Sequence, residues 1–210
     1  MKRQMTIIER LHKAIQWQLP LNEQLATMAQ FDSITDAEIE QLFDEHKSFE
    51  VGYLLEYLGP VKLQKYLPQF LQFLQDINWS SAGGAARMLR AAGEMAVPEV
   101  RRIFREEDDS WWNYWLILNV VGFWKTEVVA SLKPDLLYLI DNPDNVGTGT
   151  YAFKIVNEHN LLDKEGRDGL YQQLRKDYEL MPPDKWSGGK WPTHRASLIA
   201  ELDEVKQEVS

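Results

Sequence analysis

The run Leu67-Pro68-Gln69-Phe70-Leu71-Gln72-Phe73-Leu74-Gln75-Asp76-Ile77-Asn78-Trp79 decides how this chain is read, because its pattern returns twice further on. Leu67-x-x-Phe70-Leu71, Val100-x-x-Ile103-Phe104 and Lys133-x-x-Leu136-Leu137 fall in register about 33 residues apart, with Lys133 the one polar exception. An acidic or Asn-rich turn follows each: Asp76-Ile77-Asn78-Trp79, Asp108-Asp109-Ser110-Trp111 and Asp141-Asn142-Pro143-Asp144. Each turn leads into a second helical segment. A helix, a turn and a second helix recurring at fixed spacing predict an all-α chain built as an α-α repeat solenoid, since one such unit cannot bury its apolar face alone and must stack on its neighbours.

The second helices of these units differ in an informative way. Ser80-Ser81-Ala82-Gly83-Gly84-Ala85-Ala86-Arg87-Met88-Leu89 is crowded with small residues, so a neighbouring helix can approach closely, and its glycines cost stability that packing must recover. Trp111 to Trp124 is apolar nearly all round, as expected of a helix covered on both sides at the centre of the core. Pro68, Pro98 and Pro134 fall in the first turns of the first helices, where a missing amide costs little.

Outward from the repeats, Ile7, Ile8, Leu11, Ile15 and Leu19 give an amphipathic helix over Thr6 to Leu19, stopped by Pro20. Thr35-Asp36-Ala37-Glu38 has the form of a capping box and starts another. Ser48 to Leu58 follows, with Gly59-Pro60 as the stop. Beyond Leu162, Asp163 to Leu180 reads as a charged helix broken by Met181-Pro182-Pro183; a loop carrying Trp186, Gly188, Gly189 and Trp191 comes next, then a helix over Thr193 to Val209. The organisation is thus an N-terminal helical cap (1–60), about three helix pairs (61–162) and C-terminal helices with a Trp/Gly loop (163–210), in one structural domain without β-sheet.

Charge and composition bound the partners. The chain has 210 residues and a net charge of -9, and across Tyr66 to Asn160 it holds 8 Lys plus Arg against 12 Asp plus Glu, so the repeats hide no basic island. That balance argues against a nucleic-acid partner, because phosphate binding rests on Lys and Arg, and it suits a basic protein. With 44% hydrophobic residues and eight Trp the chain has enough apolar material to fold. The lack of Cys excludes disulfides, thiolate metal sites and cysteine nucleophiles. Glu9, Arg10, His12 and Lys13 interrupt any apolar core of a signal peptide, and no run approaches the roughly 20 apolar residues of a membrane span. A soluble, cytoplasmic protein without membrane association is the expectation.

Leu71-Gln72-Phe73-Leu74-Gln75-Asp76-Ile77-Asn78-Trp79-Ser80-Ser81-Ala82, with Asp108-Asp109-Ser110-Trp111-Trp112-Asn113-Tyr114-Trp115 about 32 residues on, resembles a bacterial family of HEAT-like domains, the domain of unknown function 5071. That family pairs a Leu-x-x-Leu-x-Asp-x-Asn-Trp-Pro-x-Ala motif with an Asp-x-x-Trp-Lys-x-Trp motif. This chain departs from it at Ser80, where Pro is common, and at Asn113, where Lys is usual. The resemblance covers roughly Tyr66 to Asn160. It implies a HEAT-like solenoid with N- and C-terminal capping helices, and it implies no activity.

The candidate binding residues are Trp79, Trp111 and Trp112 as aromatic anchors, Glu106, Glu107, Asp108 and Asp109 as a docking patch for a basic protein, and Trp186 and Trp191 as an aromatic lid. Each has a structural reading beside it: Asp76, Asn78 and Trp79 as a helix-helix joint, the four acids as a solvated helix end, and the loop Trp residues packed on the end of the solenoid. No catalytic set, metal site or cofactor site is expected. The acidic run lacks the alternating oxygens and Gly of a Ca²⁺ loop, His12, His46, His159 and His194 stand far apart, and Gly83-Gly84 precedes no Lys-Ser/Thr. The functional expectation is a non-enzymatic protein-binding repeat protein, in its sharpest form an immunity protein that neutralises a toxin. Two alternatives stand beside it. One is a HEAT-like DNA-repair glycosylase using Asp108 or Asp109 with Trp111 and Trp112 at a flipped base; the other is a scaffold or assembly factor.

Overall fold

The computed structural model describes residues 5–16, 18–183 and 191–208, with the side chains of all of them except Leu21 and Trp191. Among these residues the chain is all helical, without strands. It divides into two compact units, Met1–Ala96 and Val97–Ser210. The division falls between the first and second copies of the repeat, within the segment 61–162 read above as one block.

In the first unit, α1 (Ile7–Ala14) starts from Thr6, whose hydroxyl accepts from the Glu9 amide while the Glu9 carboxylate accepts from the Thr6 amide. The helix expected to reach Leu19 stops at Ala14. Ile15 turns into extended backbone to stay buried, and the freed Ala14 carbonyl accepts from the Thr27 hydroxyl at 2.7 Å. Thr27 belongs to α2 (Leu21–Met28), a helix the sequence reading did not anticipate. Thr35 and Glu38 form the expected capping box at the start of α3 (Asp36–Glu40). The Glu38 carboxylate is thereby held below its ordinary pKa, by the Thr35 amide first and by the Thr35 hydroxyl and Arg10 as well.

Next come α4 (Phe49–Leu63), α5 (Leu67–Leu71) and α6 (Ala82–Ala92). The α4 backbone breaks at Gly59, whose φ of 71° an L side chain rarely adopts, so the Gly59-Pro60 stop is realised as a kink. Helices α4 and α6 meet where Gly52 faces Gly84: a Cβ on Gly84 would lie 2.5 Å from the Gly52 Cα and closer still to its carbonyl. The small residues of the 80–89 segment thus permit a backbone-to-backbone approach.

In the second unit, α7 (Val97–Glu106) and α8 (Ser110–Asn119) make one helix pair, and α10 (Lys133–Asp141) and α11 (Thr148–Glu158) make the next, with the unanticipated α9 (Thr126–Ser131) between them. Helix α7 packs on α10, and α8 packs on α11. Asp135 of α10 is almost fully buried and joins the two first helices, accepting from Arg101 Nε at 3.0 Å and from Arg105 Nε at 2.9 Å. Two further helices, α12 (Lys164–Leu180) and α13 (Trp191–Glu208), cover α11. Tyr178 of α12 is buried with its hydroxyl 3.0 Å from Thr150 Oγ1 of α11, and burial pushes its phenol pKa up.

Helix α8 departs from expectation. It ends at Asn119, where Val120-Val121-Gly122 joins two β-branched residues and a glycine, all poorer helix formers, and a short 3₁₀ turn follows. It also buries only one side: Trp112, Asn113, Leu116 and Ile117 are buried, whereas Trp111 is 54% exposed and Tyr114, Trp115 and Leu118 are half-buried.

Candidate functional site

The Asp-rich turns settle locally before they build anything larger. Asp76 Oδ1 accepts from the Asn78 amide at 2.9 Å, closing an Asx turn. Trp79 then stacks on His46, ring centroids 4.4 Å apart, and the Ser81 hydroxyl donates to the His46 carbonyl at 2.5 Å. Trp79 is therefore a half-buried joint cover in the first unit, the structural reading given to it above. Burial holds the His46 imidazole below its ordinary pKa, against the weaker pull of Asp44 and Glu45.

In the second unit, Asp109 caps α8 by accepting from the Trp112 amide at 3.0 Å. That cap fixes where the helix starts. Trp112 faces inward, where 3% of its surface remains exposed, and Trp111 lies on the outside. Trp112 is thus corrected from exposed anchor to core residue. Trp111 stacks on Trp115 at 5.7 Å, and Tyr114 meets Trp115 edge-on at 4.8 Å and Tyr151 of α11 at 5.1 Å. Among the expected anchors with described side chains, Trp111 keeps an open ring, now within an aromatic cluster. Trp186 lies outside the described residues, as does the side chain of Trp191.

The four acids divide by role. Glu107 is held by Arg102 at 2.6 Å, and Arg102 also reaches Glu99 at 2.7 Å, which raises the guanidinium pKa. Asp109 is the cap. Glu106 and Asp108 are exposed. All four line a cleft of about 360 Å³, closed on its far side by Tyr138, Leu139, Asn142 and Asp144 from the end of α10 and the turn beyond it. Two successive Asp-rich turns of the repeat therefore form the two walls of one cleft. Asp144 Oδ1 accepts from the amides of Val146, Gly147 and Thr148 at 3.0, 2.9 and 3.1 Å, which shapes the second wall. The cation lining the cleft is Arg105, which is held by Asp135 and lies over the Tyr138 ring at 4.3 Å.

The floor residue is one the sequence reading did not select. Asn113 lines the cleft, is 7% exposed, and its buried Oδ1 has no hydrogen-bond partner. Its signal was present as a lone amide in an otherwise apolar stretch of α8. Among the described residues no group of three His, Cys, Asp or Glu could hold a metal ion, and no helix is long and apolar enough to cross a membrane. The arrangement offers negative charge, an amide and a shaped hollow.

The stretch from α4 to the first turn of α11, residues 50–149, matches the family model of a domain of unknown function. Residues 50–149 are a DUF5071 domain. The DUF5071 segment carries both walls and the floor of the cleft, and it covers somewhat less than half of the chain. It starts earlier than the span of the resemblance, inside α4, so Gly52 belongs to it as well as Gly84. No curated protein matches the chain, and no solved structure does.

Proposed function

We propose that this protein is a non-enzymatic binding module that engages a basic protein through the acidic cleft of its second unit. The observation that carries the reading is the cleft itself, with Glu106 and Asp108 exposed on one wall and Asp144 on the other. Charge of one sign in a concave site raises the local concentration of an oppositely charged partner and speeds its association. Trp111, exposed and stacked on Trp115 at the end of the acidic turn, supplies the kind of rigid aromatic surface that anchors interfaces.

The HEAT-like solenoid belongs to the same proposal. Its support is the pairing of α7 with α8 and of α10 with α11, together with first helix on first helix and second on second. An immunity protein that covers a basic toxin is the most specific form of the reading. The cysteine-free composition supports action in the reducing cytoplasm. A glycosylase role is the poorer fit: Asp109 is engaged by the Trp112 amide and Trp112 is buried, so neither is free to meet a flipped base.

The test is affinity capture from nuclease-treated lysate, comparing the wild-type protein with a Glu106→Lys/Asp108→Lys variant. A basic protein retained in stoichiometric amount by the first and lost by the second is the expected result. Equal retention by both, or nothing retained by the wild type, refutes the reading. The immunity form further requires that cells lacking the protein suffer only when the captured partner is present.

A further inference from the structure

We propose that the stack of His46 on Trp79 is a pH-sensitive latch: a neutral imidazole fastens the loop before α4 to the first Asp-rich turn of the DUF5071 segment, and a protonated one releases it. The latch lies in the first unit and does not draw on the binding role proposed above.

His46 is held by its ring and by its backbone. The imidazole lies on the Trp79 indole with centroids 4.4 Å apart and planes 21° from parallel, and it meets Phe73 edge-on at 4.5 Å. The His46 carbonyl accepts from the Ser81 amide at 3.2 Å and from the Ser81 hydroxyl at 2.5 Å. Ser81 is fully buried at the start of α6. His46 stands outside residues 50–149, whereas Phe73, Trp79 and Ser81 stand inside them, so these contacts tie the preceding loop to the family segment.

That seat suits a neutral ring. The imidazole Nδ1 has neither accessible surface nor a hydrogen-bond partner. A neutral imidazole leaves one nitrogen without a proton, whereas the charged ring carries N–H on both and needs an acceptor for each. The carboxylates that face the ring are Asp44 and Glu45 of its own loop, where Lys47 is exposed. Asp76 of the facing turn is spent on the amide and side chain of Asn78, and Glu50 at the start of α4 on the Ser48 hydroxyl and His12. Phe73 and Trp79 bring no charge. Burial outweighs Asp44 and Glu45, so the seated ring takes up its proton at lower pH than a released one. Acid therefore favours the released loop from about pH 6.5 downward, by about tenfold per pH unit until the seated ring itself titrates.

The experiment is hydrogen exchange of the Ser81 amide, followed by ¹H–¹⁵N NMR on the full chain and corrected for the pH dependence of the intrinsic rate, with ¹H–¹³C spectra of the His46 ring alongside. Between pH 7.5 and 5.5 the Ser81 protection factor is expected to fall by roughly threefold to tenfold, and the His46 Cε1–H signal to lose the ring-current shift that Trp79 imposes. In His46→Phe, which keeps a ring on Trp79 but takes no proton, Ser81 protection stays level, with His46→Gln as the second variant should phenylalanine fit poorly. Unchanged Ser81 protection in the wild type would show that the charged ring keeps its place over the indole, and would overturn the latch. The same loss in both variants would overturn it too, as would an equal loss at the Leu89 amide within α6, which reports unfolding of the unit rather than release of the loop.

Discussion

Gly83 and Gly84 are adjacent in α6 and differ only in what faces them, so alanine substitutions there have opposite expected signs. Helix propensity favours alanine over glycine by up to about 1 kcal/mol in a helix interior, somewhat less near the N-terminus. Gly83 is exposed, and the nearest atom to an added Cβ is the flexible Arg87 Nη1 at 3.6 Å. Gly83→Ala should therefore stabilise by about 0.5 kcal/mol. Gly84 is buried against the Gly52 backbone, where a new Cβ would meet the carbonyl O, the carbonyl C and the Cα, all within 2.5 Å. No side chain can yield there, so α4 and α6 must separate by roughly 1 Å to restore ordinary contact distances. Overpacking of this kind costs about 1–3 kcal/mol and more where only backbone can move, which exceeds the propensity gain and leaves a net loss of about 2 kcal/mol. Gly52→Ala, whose Cβ meets the Ser81 carbonyl oxygen at 3.0 Å, should fall between the two. Urea unfolding followed by far-UV circular dichroism gives the order directly, and with a slope near 2 kcal/mol per molar the Gly84→Ala midpoint drops by roughly 1 M. A Gly84→Ala protein as stable as wild type would show that the two helices are not in backbone contact, and the account of the small-residue stripe would fail with it.

Other perturbations probe other joints. Asp135→Ala removes the buried acceptor of two guanidinium groups that remain partly solvated, so the loss is below the 3–5 kcal/mol of a fully buried pair, at about 1–3 kcal/mol; urea unfolding followed by Trp fluorescence measures it. Stability should decline as pH falls below about 6.5, because burial keeps the folded His46 pKa below its unfolded value. The unfolded chain then takes up the proton first. His46→Gln should flatten the urea midpoint between pH 7 and 5.5; an unchanged slope would remove His46 from the account. The Asp168 carboxyl, held at about 2 by hydrogen bonds from Lys206 and then Lys164, contributes stability above its ordinary pKa that fades as pH falls toward 2. Lys206→Gln should move its NMR titration midpoint up toward 3.9, and an unmoved midpoint refutes the pairing.

The turns were the legible part of the fold because their chemistry is local. Asp76 and Asn78, Thr35 and Glu38, and Gly59-Pro60 each act within a few residues, and each is found doing what its spacing implies. Extent was less legible. Helix α1 stops early where Thr27, distant in sequence, takes the Ala14 carbonyl, and α9 lacks a pattern long enough to register in a window of sequence. The cleft was half legible: the acids of its first wall stand out in the sequence, whereas Asp144 and Tyr138 join them only through packing of α7 on α10. Trp111 and Trp112 show the limit most sharply. They differ by one position, about 100° around a helix, and packing of α8 on α11 leaves one ring buried and the other outside.

Asn113 follows Trp112 on the buried side of α8, and here stability and binding should part company. An amide whose buried end makes no hydrogen bond costs the folded chain about 1–3 kcal/mol of desolvation. Leu116 and Ile117 nearby on the buried side of α8 show that apolar side chains are accommodated there. Asn113→Leu should therefore raise stability by about 1 kcal/mol, once the penalty of fitting a branched side chain is set against the relief. Substitutions that stabilise at the expense of activity are the mark of a functional position, since a group retained for a partner is a flaw in its absence. Urea unfolding and capture of the proposed basic partner, measured on the same variant, should move in opposite directions. A destabilised Asn113→Leu protein would mean that the amide holds the fold together and is not a group kept for a partner.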